Sequence, residues 1–147
     1  MKKIITILAI MFTAGAAFAN NDNVTENKKA MNTFTREFAG ASDVAWYHSE
    51  EGTIAKFNLK NSKVTAHFNK EGELIATSRY ITDVELPVNV ISKLIKHFPD
   101  QNIRTIVEYN VEGENTYVIT LESKTEWTIL KAQNGNPLTT LKKLQKA

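Results

Sequence analysis

Three histidines, His48, His67 and His97, are the natural metal ligands and general bases of this chain, and no cysteine joins them. Their spacing fits no ligand pattern, since no H-x-x-x-H pair puts two imidazoles on one helical face. His67 falls in a strand pattern. His97 falls at a helix end beside Lys96, where positive charge complements the negative pole. A solvated or dipole-stabilising imidazole is the plain reading of each. No G-x-S-x-G elbow presents a serine nucleophile. The acidic pairs Glu50-Glu51 and Glu71/Glu73 stand at turns, where solvation accounts for them. Glycines occur singly, so no loop cradles a phosphate. Glu112, Glu114 and Asn115 lack the spacing of an EF-hand. With no assembled constellation, the expectation is no enzyme, no cofactor and no metal.

The hints of binding are positive ones. Trp46, Tyr47 and His48 are consecutive in a strand pattern, so both faces of that strand carry a large ring. With Trp46 packed under the helices, Tyr47 points to the open face. Tyr109, Tyr117 and Trp127 add aromatics further on, and Trp46 and Trp127 are expected in the core. Alternation puts Lys56, Asn58, Thr65, His67, Thr77 and Arg79 on the open face. Tyr47, Lys56, His67 and Arg79 are the candidate binding residues. Such a polar surface suits a rim-like or wet contact as much as plain solvation.

The elements that would position these residues are legible as patterns. Thr53 to Ile81 reads as a three-strand meander. Ile54, Lys56 and Asn58 oppose Ala55, Phe57 and Leu59; Val64, Ala66 and Phe68 oppose Thr65 and His67. Leu74, Ala76, Ser78 and Tyr80 oppose Ile75, Thr77, Arg79 and Ile81. A helix is predicted from Glu26 or Asn27 to Phe38, capped by Thr25 or Asn27 and stopped by Gly40. Asp43 to His48 is a strand in which Val44 and Trp46 share a face. The second helix opens at Leu86-Pro87, with Pro87 suited to the first helical position, and ends before Pro99. Its apolar stripe is Val90, Ile91, Leu94, Ile95 and Phe98. Strands follow over residues 103–110, 116–122 and 125–132, the last alternating Trp127 and Ile129 against Glu126, Thr128 and Leu130. A strong turn, Gln133 to Asn136, leads to an edge strand from Pro137 to Leu141.

The two halves share this order, so one α-β-β-β-β unit occurs in tandem. The expected fold class is α+β, one antiparallel sheet with two helices on one face. The expected boundaries are 1–19 for a signal peptide, 20–26 for a polar linker and 27–145 for a single domain of two repeats, 27–82 and 86–145.

Compartment is read from the start of the chain. Met1-Lys2-Lys3 is basic, residues 4–12 are apolar, and Ala17-Phe18-Ala19 is an A-x-A cleavage pattern before Asn20. That order is a secretory signal peptide. The mature protein is expected to be periplasmic or secreted, with no membrane span. Cysteine is absent although the compartment permits disulfides, so stability must come from an ordinary core. Loss of Lys2 and Lys3 reduces the 18 basic side chains to 16, against 16 acidic ones. No basic stripe suggests a nucleic acid partner, and Lys142, Lys143 and Lys146 read as a solvated tail.

The chain resembles the PepSY-like family of exported bacterial proteins, related in fold to the beta-lactamase inhibitor protein. The resemblance runs through Phe38, Val44-Ala45-Trp46, Ala55-Lys56-Phe57, Val64 to Phe68, Asn69 to Leu74 and Leu86-Pro87. In the second half it rests on Phe98-Pro99, Tyr117-Val118-Ile119 and Asn134-Gly135, and it covers about residues 27 to 145. It implies tandem helix-plus-sheet units and a non-enzymatic binding or inhibitory role toward another exported or envelope protein. The inhibitor's contact residues have no positional match here, so inhibition of a beta-lactamase does not carry over. A structural protein of the cell envelope is the alternative, and a hydrolase of unrecognised type is a more distant one.

Overall fold

Asn27 caps helix α1 (Lys28–Glu37), its side-chain oxygen accepting the Ala30 N–H at 3.1 Å. The computed structural model describes residues 27–147. The signal peptide and polar linker of the sequence reading lie outside the described residues. After α1 come β1 (Ser42–Ser49), β2 (Gly52–Leu59), β3 (Ser62–Phe68) and β4 (Leu74–Ile81). A 3-10 turn (Asp83–Glu85) and helix α2 (Val88–His97) precede β5 (Asn102–Val111), β6 (Glu114–Glu122), β7 (Glu126–Gln133) and β8 (Thr139–Gln145). The strands form one eight-stranded antiparallel sheet in which each is hydrogen-bonded to the next in sequence. Together with the two helices this is an α+β fold. The chain divides into two compact units, one running to Asn61 and taking in Thr65–Ile75, the other made of Ser62–Val64 and Ala76–Ala147.

The first unit is built on aromatic packing. Ala30 and Phe34 are buried on α1, four residues apart and so on one helical face. Beneath them Ala55 and Phe57 of β2 and Ala66 and Phe68 of β3 are buried. The Phe34 ring meets Trp46 edge-on at 5.1 Å and Phe57 edge-on at 4.9 Å, the geometry that ring quadrupoles favour. Phe38 closes the helix, donating its N–H to the Phe34 carbonyl, and packs on Phe57 at 4.8 Å. The turn between β3 and β4 clamps the other end of α1. Thr33 Oγ1 donates to the Gly72 carbonyl at 2.8 Å, and Asn27 Nδ2 donates to that of Lys70. Gly72 has φ +81°, and a Cβ there would stand 2.5 Å from the Lys29 side chain. Only glycine meets both demands.

The core of the second unit gathers Leu86, Val90 and Leu94 over Ile81, Ile106, Tyr117, Ile119, Leu121, Leu130 and Ala132, with Ile91 and Phe98 packed beside them. Pro87 is the residue that caps α2, so the helix begins one position later than predicted. Ile95 leaves the predicted stripe: it is 67% exposed. It lies seven residues from Val88, which is also exposed, and two helical turns put both on the solvent side. The turn before β8 ties down α2 as Gly72's turn ties down α1. Asn89 Nδ2 donates to Asn134 Oδ1 at 2.7 Å, and Lys93 Nζ to the Asn136 carbonyl at 2.6 Å.

Three further expectations are corrected in the strands. The last strand spans Thr139–Gln145, well beyond Leu141, so Lys142 and Lys143 belong to an edge strand. Lys146 is no solvated tail residue: its Nζ is 2.6 Å from Glu122 Oε1 and 4.6 Å from the Trp127 ring centroid. Val44 stays exposed, because the β1–β2 register shifts between Ser42 and Ala45 and Asp43 takes φ +53°.

Candidate binding surface

The pairing of β1 with β2 sets which side chains of the first unit face away from its helix. Trp46 stands opposite Ala55, and both point toward α1. Their neighbours, Ala45 opposite Lys56 and Tyr47 opposite Ile54, therefore point the other way. In β3, His67 alternates with buried Ala66 and Phe68 and takes the same outward side. Tyr47, Lys56 and His67 thus come from three successive strands to the face turned away from α1. Lys56 Nζ lies 5.0 Å from the Tyr47 ring centroid, within the range of cation–π attraction.

His67 is half-buried there. Loss of hydration disfavours its cation and the Lys56 ammonium adds repulsion, so its pKa falls from 6.5 to about 4. At neutral pH it is an uncharged imidazole with one donor and one acceptor nitrogen. At the bulged end of this face Asn58 Nδ2 donates to Asp43 Oδ2 at 2.8 Å.

Arg79 does not belong with the other candidates. It stands opposite Glu108, two residues from the pair of Ile81 and Ile106, and both of those are in the core under α2. Alternation therefore puts Arg79 on the helix-bearing side of the second unit. Its Nε is 2.8 Å from Glu108 Oε1 and its Nη1 is 3.1 Å from Glu85 Oε1. Glu85 also accepts the Thr82 N–H at 2.9 Å. That backbone bond, with the guanidinium of Arg79, holds the Glu85 carboxyl below the usual carboxylate range. Arg79 thus ties β4 and β5 to the turn that leads into α2. Single-sequence alternation missed this because it cannot choose the phase of a strand whose residues are half-buried on both faces.

The same phase error moved two aromatics. Tyr80, grouped with the inward residues of β4, is 70% exposed. It shares the side of Tyr109, since Tyr80 pairs with Val107 and Ser78 with Tyr109. Burial, and then the neighbouring Tyr80, raise the Tyr109 pKa above its ordinary value. Trp127 also lies away from α2. Thr128 and Leu130 are buried on the helix side, so Trp127 and Ile129 take the other. Trp127 is capped by Lys146 instead of being buried in the core. No periodic signal separates the two phases; the Glu122–Lys146 pair that marks the outward one spans 24 positions.

The histidines do not converge. His48 alternates with Tyr47 and lies on the helix side, its Nδ1 3.3 Å from Thr53 Oγ1. His97 ends α2 in the other unit. Among the described residues, no group of three His, Cys, Asp or Glu side chains is arranged to hold a metal ion.

No family model matches the chain, and no curated protein matches it. Solved structures do. A BLIP-like protein from Bacteroides fragilis NCTC 9343 superposes with a TM-score of 0.71 at 13% identity, over 84% of this chain and 90% of that one. A DUF2874 family protein from Bacteroides ovatus ATCC 8483 gives 0.70 at 16% identity, over 84% and 89%. A candidate periplasmic protein from Bacteroides eggerthii DSM 20697 gives 0.68 at 13% identity, over 80% and 86%. At such identities the likeness speaks for architecture alone, and the eight-stranded antiparallel sheet with two helices is a BLIP-like fold.

Proposed function

We propose that this chain is an exported, non-enzymatic binding module of PepSY-like type. Its partner is another exported or envelope protein, taken on the face of β1–β3 turned away from α1. The observation that carries the reading is the convergence of Tyr47, Lys56 and His67 on that face, a ring, a cation and a neutral imidazole from three strands. Tyrosine is among the residue types that anchor protein contacts, and Tyr47 is half-buried here. The BLIP-like fold of the Bacteroides fragilis neighbour supports a binding role, and the periplasmic description of the Bacteroides eggerthii protein supports export. Arg79 lies outside the proposed surface, because Glu108 and Glu85 engage it on the helix-bearing side of the second unit.

Affinity capture tests this with the mature protein and its Tyr47→Ala, Lys56→Ala double variant, both confirmed folded by circular dichroism. Envelope extract passed over each should yield a small set of proteins retained by the wild type and lost by the variant. The same set on both columns would reject the surface. Turnover of hydrolase substrates by the purified protein would overturn the non-enzymatic reading.

A further inference from the structure

We propose that the outer face of helix α2 is a self-association surface, on which two copies of this chain pair their α2 helices antiparallel about a twofold axis. The inference is independent of the surface on β1–β3.

The first argument is what α2 leaves in water. Val90 and Leu94 are buried in the core of the second unit, and Ile91 packs beside it. Val88 and Ile95 stand away from that core at 79% and 67% exposure, and Val84, in the 3-10 turn before the helix, is 84% exposed. These are among the most exposed large apolar side chains of the described residues. Apolar side chains scattered singly over a surface are ordinary, whereas several on one element mark a contact. Ser92 lies between Val88 and Ile95 at spacings of four and three, on the same stripe. Its hydroxyl donates to the Val88 carbonyl at 2.9 Å. The centre of the stripe therefore presents a small side chain whose donor is already satisfied, and a second helix can approach closely there.

The second argument is charge. Asp83 precedes α2 at one end, and Lys96 and His97 close it at the other. The side chains of Asp83 and Lys96 are exposed and join no ion pair or hydrogen bond among the described residues. Parallel pairing of two copies would set Asp83 beside Asp83 and Lys96 beside Lys96. Antiparallel pairing about an axis near Ser92 turns the acidic end of each helix toward the basic end of the other. It also lays Val88 of one copy against Ile95 of the second. The pattern is self-complementary, as a twofold interface requires. One face of a ten-residue helix falls short of the roughly 800 Å² per partner of a standard stable interface. The dimer is accordingly weak and concentration-dependent, and in dilute solution the face returns to water.

Sedimentation equilibrium of the mature protein over a concentration series should show a monomer–dimer equilibrium. Ile95→Ser should weaken it about tenfold or more, since the change acts twice in a twofold dimer, and should leave the circular dichroism spectrum unchanged. Asp83→Lys and Lys96→Asp should each weaken self-association. Mixing those two variants should restore a heterodimer, an outcome that antiparallel pairing gives and parallel pairing does not. The chain has no cysteine, so Ser92→Cys adds a single thiol; oxidation should join two copies through it and not through a Lys124→Cys control. A monomer at every concentration up to about 1 mM would overturn the proposal. So would a dimer untouched by Ile95→Ser, or no recovery on mixing the charge variants. An envelope protein captured by the wild type and lost by Ile95→Ser, with the chain itself monomeric, would give the face to a different partner and overturn the pairing of copies.

Discussion

His67, on the face proposed for binding, carries a cost of burial. Its pKa is about 4 in the folded protein, against an ordinary value of 6.5. Between those values the unfolded chain binds a proton that the folded chain refuses. Stability is therefore full above 6.5 and falls as the pH drops through the window toward 4, by at most about 1.4 kcal/mol per pH unit. His67→Gln keeps the side chain polar and removes the titration. Its urea midpoint should change less than that of the wild type between pH 6.5 and pH 4.5. Parallel losses in the two proteins would mean that His67 is solvated in the folded state. Arg79 has the opposite character. Its charge is engaged by Glu108 and Glu85, so it serves the internal join of β4, β5 and the turn before α2.

The two helices carry the energetics of the layers, and their faces differ in how strictly they are used. Phe34 touches Phe38, Trp46 and Phe57, so its truncation empties the centre of the first unit's aromatic cluster. Phe34→Ala should cost about 3–5 kcal/mol. Ile95, apolar yet 67% exposed, should tolerate Ala with a change within about 0.5 kcal/mol. Denaturant midpoints of the two variants measure the contrast directly. A large loss for Ile95→Ala would mean that α2 is rotated relative to its strands. Strand β8 is exposed along its length and carries Lys142 and Lys143, side chains that discourage another strand from adding to an edge.

At the scale of the whole molecule, processing is the first prediction. Ala17 and Ala19 are the small residues that a signal peptidase selects, so under the proposed export the mature chain should begin at Asn20. Mass spectrometry of the intact protein checks this, and a retained Met1 would refute it. Among the described residues, no helix is long and apolar enough to cross a membrane. The sheet runs β1 to β8 in sequence order, a connectivity that short turns alone supply on each side of α2. Each unit has its own helix pinned by a turn of its own strands, through Thr33 and Gly72 in the first and Lys93 and Asn136 in the second.

Element order and class were legible in the residues themselves. Period-2 runs broken by Gly52, Gly72, Gly113 and Gly135 mark the strands, and spacings of three and four mark the helices, because those are local periodicities of the backbone. The face of β2 was legible too, since Ala55 and Phe57 oppose Lys56 and Asn58 without ambiguity. Only the tertiary structure decided the phase of strands with apolar residues at both parities. In β7 the register with β6 puts Leu130 under α2 and Trp127 outside, and in β4 pairing with β5 puts Arg79 beside Glu108. It also decided the fate of the last lysines, because Lys146 finds Glu122 and Trp127 only after β8 pairs with β7. The physical reason is common to all three. Alternation is written in neighbours along the chain, whereas the choice of face is made by partners across the sheet.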